Sequence, residues 1–166
     1  MQISVKIKMT EDYYKEFYSE WLKFRSYRKW QPLIAILLIM FSAFVFIFFN
    51  SNAFFISLLF TGFGIYELFE YYYTRKKWLN ERLASNITNK EISMVFEDDV
   101  IRSNGPFTNT ELKWNGITKA IETKKGLFLI PENGISIYLQ KLSFDSEGQI
   151  KLIVDKVNSY KKNESL

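Results

Sequence analysis

The chain has 166 residues, of which 48% are hydrophobic and 24% charged, and its net charge is +4. It contains neither Cys nor His, which excludes disulfides, thiolate nucleophiles, zinc–sulfur sites, Ser-His-Asp hydrolysis and di-histidine metal chemistry. Residues 1–85 carry eleven Lys/Arg against seven Asp/Glu, whereas residues 86–166 carry eleven of each, so the second half lacks the basic footprint of nucleic-acid binding.

Ile3, Val5, Ile7 and Met9 alternate with Gln2, Ser4, Lys6 and Lys8, the period of a half-buried strand. Thr10 suits a helix N-cap and Glu11-Asp12 its first turn. Tyr14, Phe17, Trp21, Phe24 and Arg28 follow at helical spacing, which predicts a helix reaching about Trp30. Pro32 lacks an N–H and restricts Gln31, so a kink or restart is expected there. The aromatic stripe reads as a stalk packed on a helix carrying Trp78, Leu79, Arg82 and Leu83. Its mixed face of Lys15, Glu16, Glu20 and Lys23 is not the mainly basic face of a helix lying on lipid.

Leu33 to Phe49 is unbroken apolar sequence apart from Ser42, and thirteen of its residues are Leu, Ile, Val or Phe. At the helix centre these favour insertion by about 4–8 kcal/mol. Ala53 to Tyr73 is a second run, with ten Leu, Ile or Phe and two acids, Glu67 and Glu70. The acids fall near its end, next to Tyr71-Tyr72-Tyr73 and Arg75-Lys76-Lys77, where an interfacial depth lowers their penalty. Arg25, Arg28 and Lys29 precede the first run, and the Asn50-Ser51-Asn52 connection is uncharged. The positive-inside bias then places both termini in the cytoplasm, with Trp30, the tyrosines and Trp78 as an aromatic belt. The apolar run starts only after a charged segment and exceeds an ordinary signal core, so no cleaved leader is expected. Ser57, Thr61 and Gly64 share one helix face, and Ala35 and Ser42 lie a heptad apart, a pattern that permits close helix approach in lipid.

From Lys90 the texture changes to short alternating runs separated by turns. Strands are expected at Glu91–Glu97, Val100–Asn104, Thr108–Trp114, Thr118–Thr123, Leu127–Ile130 and Ile135–Gln140. Asp98-Asp99, Asn104-Gly105-Pro106, Lys124-Lys125-Gly126 and Glu132-Asn133-Gly134 supply turn chemistry. Ile150, Ile153, Val154, Val157 and Tyr160 keep helical spacing, with Ser143 or Asp145 as the expected cap. The chain thus divides into a strand and amphipathic helix (1–32), an apolar hairpin (33–49 and 53–73), a helical extension and linker (74–89), and a β-rich domain with a closing helix (90–166). Eighty residues make a small core, which favours an extra strand donated by residues 2–9.

Four segments carry a family resemblance. They are Phe96-Glu97-Asp98-Asp99-Val100-Ile101, Trp114-Asn115-Gly116-Ile117, Ile121-Glu122, and Leu139-Gln140-Lys141-Leu142-Ser143-Phe144 ahead of a final helix. Together they make the sequence similar to the YcxB-like family of bacterial membrane proteins, although Gln140 and Leu142 stand where that family tends to have proline and a basic residue. The resemblance implies an α+β membrane protein in which a two-helix anchor carries a C-terminal pleckstrin-homology-like (PH-like) small β-barrel or sheet capped by a helix. Phe96, Trp114, Ile117, Glu122, Lys141 and Phe144 are the motif residues. They are expected to be structural, the large apolar ones being core.

No catalytic set, cofactor site or metal site is expected. Two adjacent carboxylates, Asp98 and Asp99, lack the ligand count of a Ca²⁺ site. Arg102 is the only Arg after residue 90, so specific phosphoinositide binding, which needs converging cations, is not expected. Glu67 and Glu70 are the candidate functional carboxylates. Pairing with Arg28, Lys29, Arg75 or Lys76 is the structural expectation, and proton or cation handling is the functional one. The leading expectation is a non-enzymatic interaction module tethered at the inner face of a bacterial plasma membrane by two spans. It would bind a protein partner or a second copy, and no nucleic acid. The alternatives are an oligomeric hairpin passing ions past Glu67 and, by fold analogy, self-immunity against membrane-active peptides.

Overall fold

The computed structural model describes residues 2–24, 27–49, 53–132 and 134–164, with side chains through 160. Arg25, the Asn50-Ser51-Asn52 connection and Asn133 lie outside the described residues. The fold is α+β. It contains β1 (Ile3–Lys8), α1 (Glu11–Leu22), α2 (Gln31–Phe49), α3 (Phe54–Leu83), β2 (Glu91–Phe96), β3 (Val100–Asn104), β4 (Asn109–Lys113), β5 (Ile117–Glu122), β6 (Gly126–Pro131), β7 (Ile137–Gln140) and α4 (Glu147–Glu164). Two compact units result, one of residues up to Phe17 together with those from Ser85 onward, the other Tyr18–Ala84.

In the first unit, the amino-terminal strand joins the C-terminal sheet, the pairing that the small core favours. β1 runs antiparallel to β2 in register from Ile3 opposite Phe96 to Lys8 opposite Glu91. Ile3, Val5 and Ile7 are buried while the residues between them are exposed. Asn89, the only described non-glycine residue with positive φ (62°), turns the chain into β2. Its N–H donates to the Met9 carbonyl, and the Met9 N–H donates to Lys90.

The first sheet has the order β1-β2-β3-β4 and the second β5-β6-β7, all antiparallel. A single turn of 3-10 helix at Trp114–Gly116 links them, and another at Lys141–Ser143 follows β7. α4 packs on β5 and on the Trp114 turn, burying Ile150, Ile153 and Val157. Thr118 sits at a register irregularity in β5, where its hydroxyl donates to the Ile130 carbonyl at 2.7 Å.

Two expected helix ends are corrected. α1 stops at Leu22 and not near Trp30. The Lys23 and Phe24 N–H groups bond back only three residues, to Glu20 and Trp21, which tightens and closes the last turn. Phe24, Tyr27 and Trp30 are exposed, so no buried stripe rewards a longer helix. The cap of α4 is neither Ser143, which lies in the 3-10 turn, nor Asp145. Asp145 instead donates its N–H to the Gln149 side chain at 3.1 Å.

In the second unit, Tyr18 of α1 lies against Trp21 and Trp78 at ring separations of 6.0 and 5.2 Å, whereas Phe24 of the expected stripe is exposed. α2 restarts at Gln31 with Pro32 in its first turn, where a missing N–H leaves no bond unmade. α2 and α3 pack as an antiparallel pair, Ala35 beside Gly64 and Ser42 beside Ser57. Both helices are long and apolar enough to cross a membrane.

Candidate functional site

The helix pair is held by polar contacts between small residues. Ser42 Oγ donates to the Ser57 carbonyl at 2.6 Å, and Ser57 Oγ donates to the Ser42 carbonyl at 3.0 Å. Thr61 Oγ1 lies 2.6 Å from Ser42 Oγ, so its proton completes the set. At Gly64 an added Cβ would lie 2.6 Å from Ile39 and 2.8 Å from the Ala35 carbonyl. The face read from Ser57, Thr61, Gly64, Ala35 and Ser42 is therefore the contact face. The outward surface is apolar and exposed, for example Ile47 (70%) and Phe55 (78%).

Glu67 lies at one end of this pair. It accepts from Gln31 Nε2 at 2.8 Å and from the Tyr27 hydroxyl in long 3.4 Å contacts to both oxygens. The Glu67 charge holds the Tyr27 phenol above its ordinary pKa range, and the hydrogen bond to Glu67 adds to the effect. The expected cationic partners do not take this role. Among the described residues no ion pair joins Glu67 or Glu70 to Arg28, Lys29, Arg75 or Lys76. Lys29 lies instead over the Trp30 ring at 5.6 Å. Glu70 is half-buried on the same helix.

The motif residues assemble in the first unit. Phe96, Trp114 and Ile117 are fully buried, and Phe144 is buried ahead of α4. Trp114 Nε1 donates to the Glu97 carbonyl at 3.0 Å, Phe96 lies 6.0 Å from its ring, and Lys156 of α4 sits 5.0 Å over it. Trp114 thus ties the β2 end, the inter-sheet turn and the last helix together. Glu122 and Lys141 form an ion pair at 2.7 Å, with Glu147 3.9 Å from the same ammonium. The hydrogen bond to Glu122 is the main reason the Lys141 ammonium is raised above its ordinary pKa.

The charges near the turns are locally paired. Asp98 pairs with Lys156 at 3.2 Å, and Arg102 is shared between Glu97 and Glu111 at 2.9 and 3.4 Å. In the Lys124-Lys125-Gly126 turn, Thr123 Oγ1 accepts from the Gly126 N–H at 3.0 Å. Among the described residues no group of three acidic side chains is arranged to hold a metal ion.

One cluster had no signal in residue spacing. Tyr13 donates its hydroxyl to the Tyr138 carbonyl at 2.9 Å, and Tyr138 donates its own to Glu16 at 2.7 Å. Phe17 meets the rings of Phe128 and Tyr138 at 5.5 and 5.9 Å. The start of α1 is thereby docked on β6 and β7. Its partners lie over a hundred residues downstream, beyond the reach of any helical periodicity.

Comparison with known proteins agrees with this arrangement in one respect. The family model for YcxB-like protein matches residues 96–157, from the buried Phe96 through α4 to the buried Val157. No curated protein and no solved structure matches the chain.

Proposed function

We propose that this chain, whose residues 96–157 are YcxB-like, is a non-enzymatic interaction module tethered to the inner face of a bacterial plasma membrane. α2 and α3 are its two membrane spans, and the strand-rich unit with its closing helix is a PH-like domain. The observation that carries the reading is the inversion of polarity across the helix pair. Hydroxyls at Ser42, Ser57 and Thr61 face inward and are mutually bonded, while large apolar residues cover the outside. Water would reward the opposite arrangement, and hydrocarbon rewards this one. α2 is about 28 Å long, close to the ~30 Å hydrocarbon core. The 30 residues of α3 reach about 45 Å, so its last turns, carrying Arg75, Lys76 and Lys77, extend past the lipid.

The absence of cysteine makes the topology directly measurable. Single cysteines replacing Gln2, Ser51 and Ser159 are labelled in sealed vesicles with an impermeant maleimide. Ser51→Cys reacts only from outside, and Gln2→Cys and Ser159→Cys only from inside. Labelling of the two ends from opposite sides, or release of the chain from membranes by alkaline carbonate, overturns the reading.

A second reading is favoured by the neutral donors around Glu67. Glu67 is a carboxylate in a spanning helix held by an amide and a phenol, and an intramembrane carboxylate is by its chemistry a candidate for proton or cation handling. In that case an oligomer of the hairpin conducts protons in liposomes and Glu67→Gln silences it. Liposomes that stay tight with the wild type dispose of this reading.

A further inference from the structure

β4 ends the four-stranded sheet, paired with β3 on one side and with no strand on the other among the described residues. At the mouth of the β3–β4 hairpin the Gly105 N–H donates to the Thr108 carbonyl at 2.9 Å. Antiparallel ladders alternate, so Thr110 and Leu112 exchange bonds with Ser103 and Ile101, which they face. The N–H and C=O groups of Asn109, Glu111 and Lys113 then point away from the sheet. Natural edges are blunted by proline, bulges, very short strands or charged side chains that a second strand cannot match. This one has no proline, and β4 pairs with β3 through an unbroken register. Its two outward charges, Glu111 and Lys113, are of opposite sign, exposed, and two residues apart on one face.

We infer that this edge binds the β4 edge of a second copy, antiparallel about a two-fold axis at Leu112. Charge selects that register. An axis at Glu111 sets Glu111 against its own counterpart, and an axis at Lys113 sets two lysines together, and like charges directly opposite are unfavourable. With the axis at Leu112, Glu111 of each copy faces Lys113 of the other, twice. The same residues supply the outward main-chain groups, so each facing pair is also a hydrogen-bonded pair. Arg102, directly across β3 from Glu111 and 3.4 Å from its carboxylate, continues the charge ladder inward on both sides. The overlap is short and the contact correspondingly weak in dilute solution. Confinement of copies to one membrane raises their effective concentration. This inference names the partner of the interaction module proposed above and rests on that reading.

The test uses the full chain in vesicles, with dimer measured by crosslinking and by native mass spectrometry from mild detergent. Lys113→Glu and Glu111→Lys are each expected to lower dimer by roughly tenfold or more, since each turns two attractive cross-strand pairs into repulsive ones. An equimolar mixture of the two variants restores association as a heterodimer, because both facing pairs become attractive again. A variant that merely misfolds does not produce that rescue. In a second arm, Leu112→Cys forms an intermolecular disulfide, since the facing Cα atoms of a non-hydrogen-bonded pair lie about 4.5 Å apart. Thr110→Cys, displaced from the axis, does not. A monomeric wild type, a dimer indifferent to both reversals, or a mixture without rescue overturns the inference. If the chain meanwhile remains integral to the membrane, the tethering reading survives that failure. Loss of the chain from the membrane fraction overturns the tethering reading instead.

Discussion

Ser42 and Ser57, one on each apolar helix, donate their hydroxyls to each other's main-chain carbonyls at 2.6 and 3.0 Å. Such carbonyls already accept within their own helices, so each pair of bonds is added without breaking the backbone ladder. The reciprocal contact brings the two backbones close, and the nearby Gly64 shows how close.

Gly64→Ala is expected to destabilise the helix pair by about 1–3 kcal/mol, the range for inserting a methyl into a packed contact. Its Cβ would stand 2.8 Å from the Ala35 carbonyl, which cannot swing aside. Gly62→Ala, whose Cβ meets nothing within 4 Å, is neutral or stabilising because alanine is the better helix former. Thermal or denaturant unfolding of the full chain in one detergent, followed by tryptophan fluorescence, ranks the two. Equal effects contradict the packing.

Gly126→Ala should be among the most damaging single-methyl changes in the strand-rich unit. A Cβ there would collide with the Leu139 carbonyl and lie 2.6 Å from the Tyr138 ring, so β6 and β7 must separate, at a cost of about 2 kcal/mol or more. Gly148→Ala, with its nearest neighbour an ordinary 3.7 Å away, provides the control. Limited proteolysis of the membrane-bound chain reads the difference as faster cleavage between residues 90 and 160.

Trp114→Phe keeps an aromatic ring but removes the donor to Glu97. The carbonyl keeps a 3.4 Å contact from Lys156 Nζ, so a loss of about 0.5–1.5 kcal/mol follows, the net range for one hydrogen bond. Trp114→Ala adds a cavity and raises the loss to about 3–5 kcal/mol. Urea titration of the two variants in the same detergent should keep that order.

Lys141 links stability to alkaline pH. Its folded-state pKa is raised above the ordinary 10.5 by its bond to Glu122. The stabilisation is therefore complete below 10.5 and disappears as pH rises through the higher folded value. Glu122→Gln should flatten this alkaline fall and lower the plateau below pH 10.5 by the same small amount, since what is lost at high pH is the stabilisation present at neutrality, and a pair this open to solvent contributes little. An alkaline slope that persists in Glu122→Gln rules out the pairing as its source.

Local features were legible wherever one residue type recurred at a fixed period. Alternation in residues 3–9 and in the runs after Lys90 matched β1 and β2 to β7 to within two residues at each end. The small-residue face of the helix pair was also legible, because hydrogen bonding and close approach both need Ser, Thr and Gly at that spacing. Glu67 and Glu70 were visible as acids in an apolar run, but the neutral partners of Glu67 were not. Attraction to a cation follows from charge alone, whereas Gln31 and Tyr27 serve only because the turn before α2 brings them beside Glu67 in the middle of α3.

What the sequence by itself determined is the set of elements and the face that each must bury. Burial of alternate or helically spaced apolar groups is a local demand, written at periods of two and three to four residues. Tertiary structure alone decided which faces meet. It set Tyr13 and Glu16 on Tyr138, Trp114 on Glu97 and Lys156, and the end of α1 at Leu22. Those contacts join positions far apart along the chain, and their energy appears only after loop closure has brought both partners to one place.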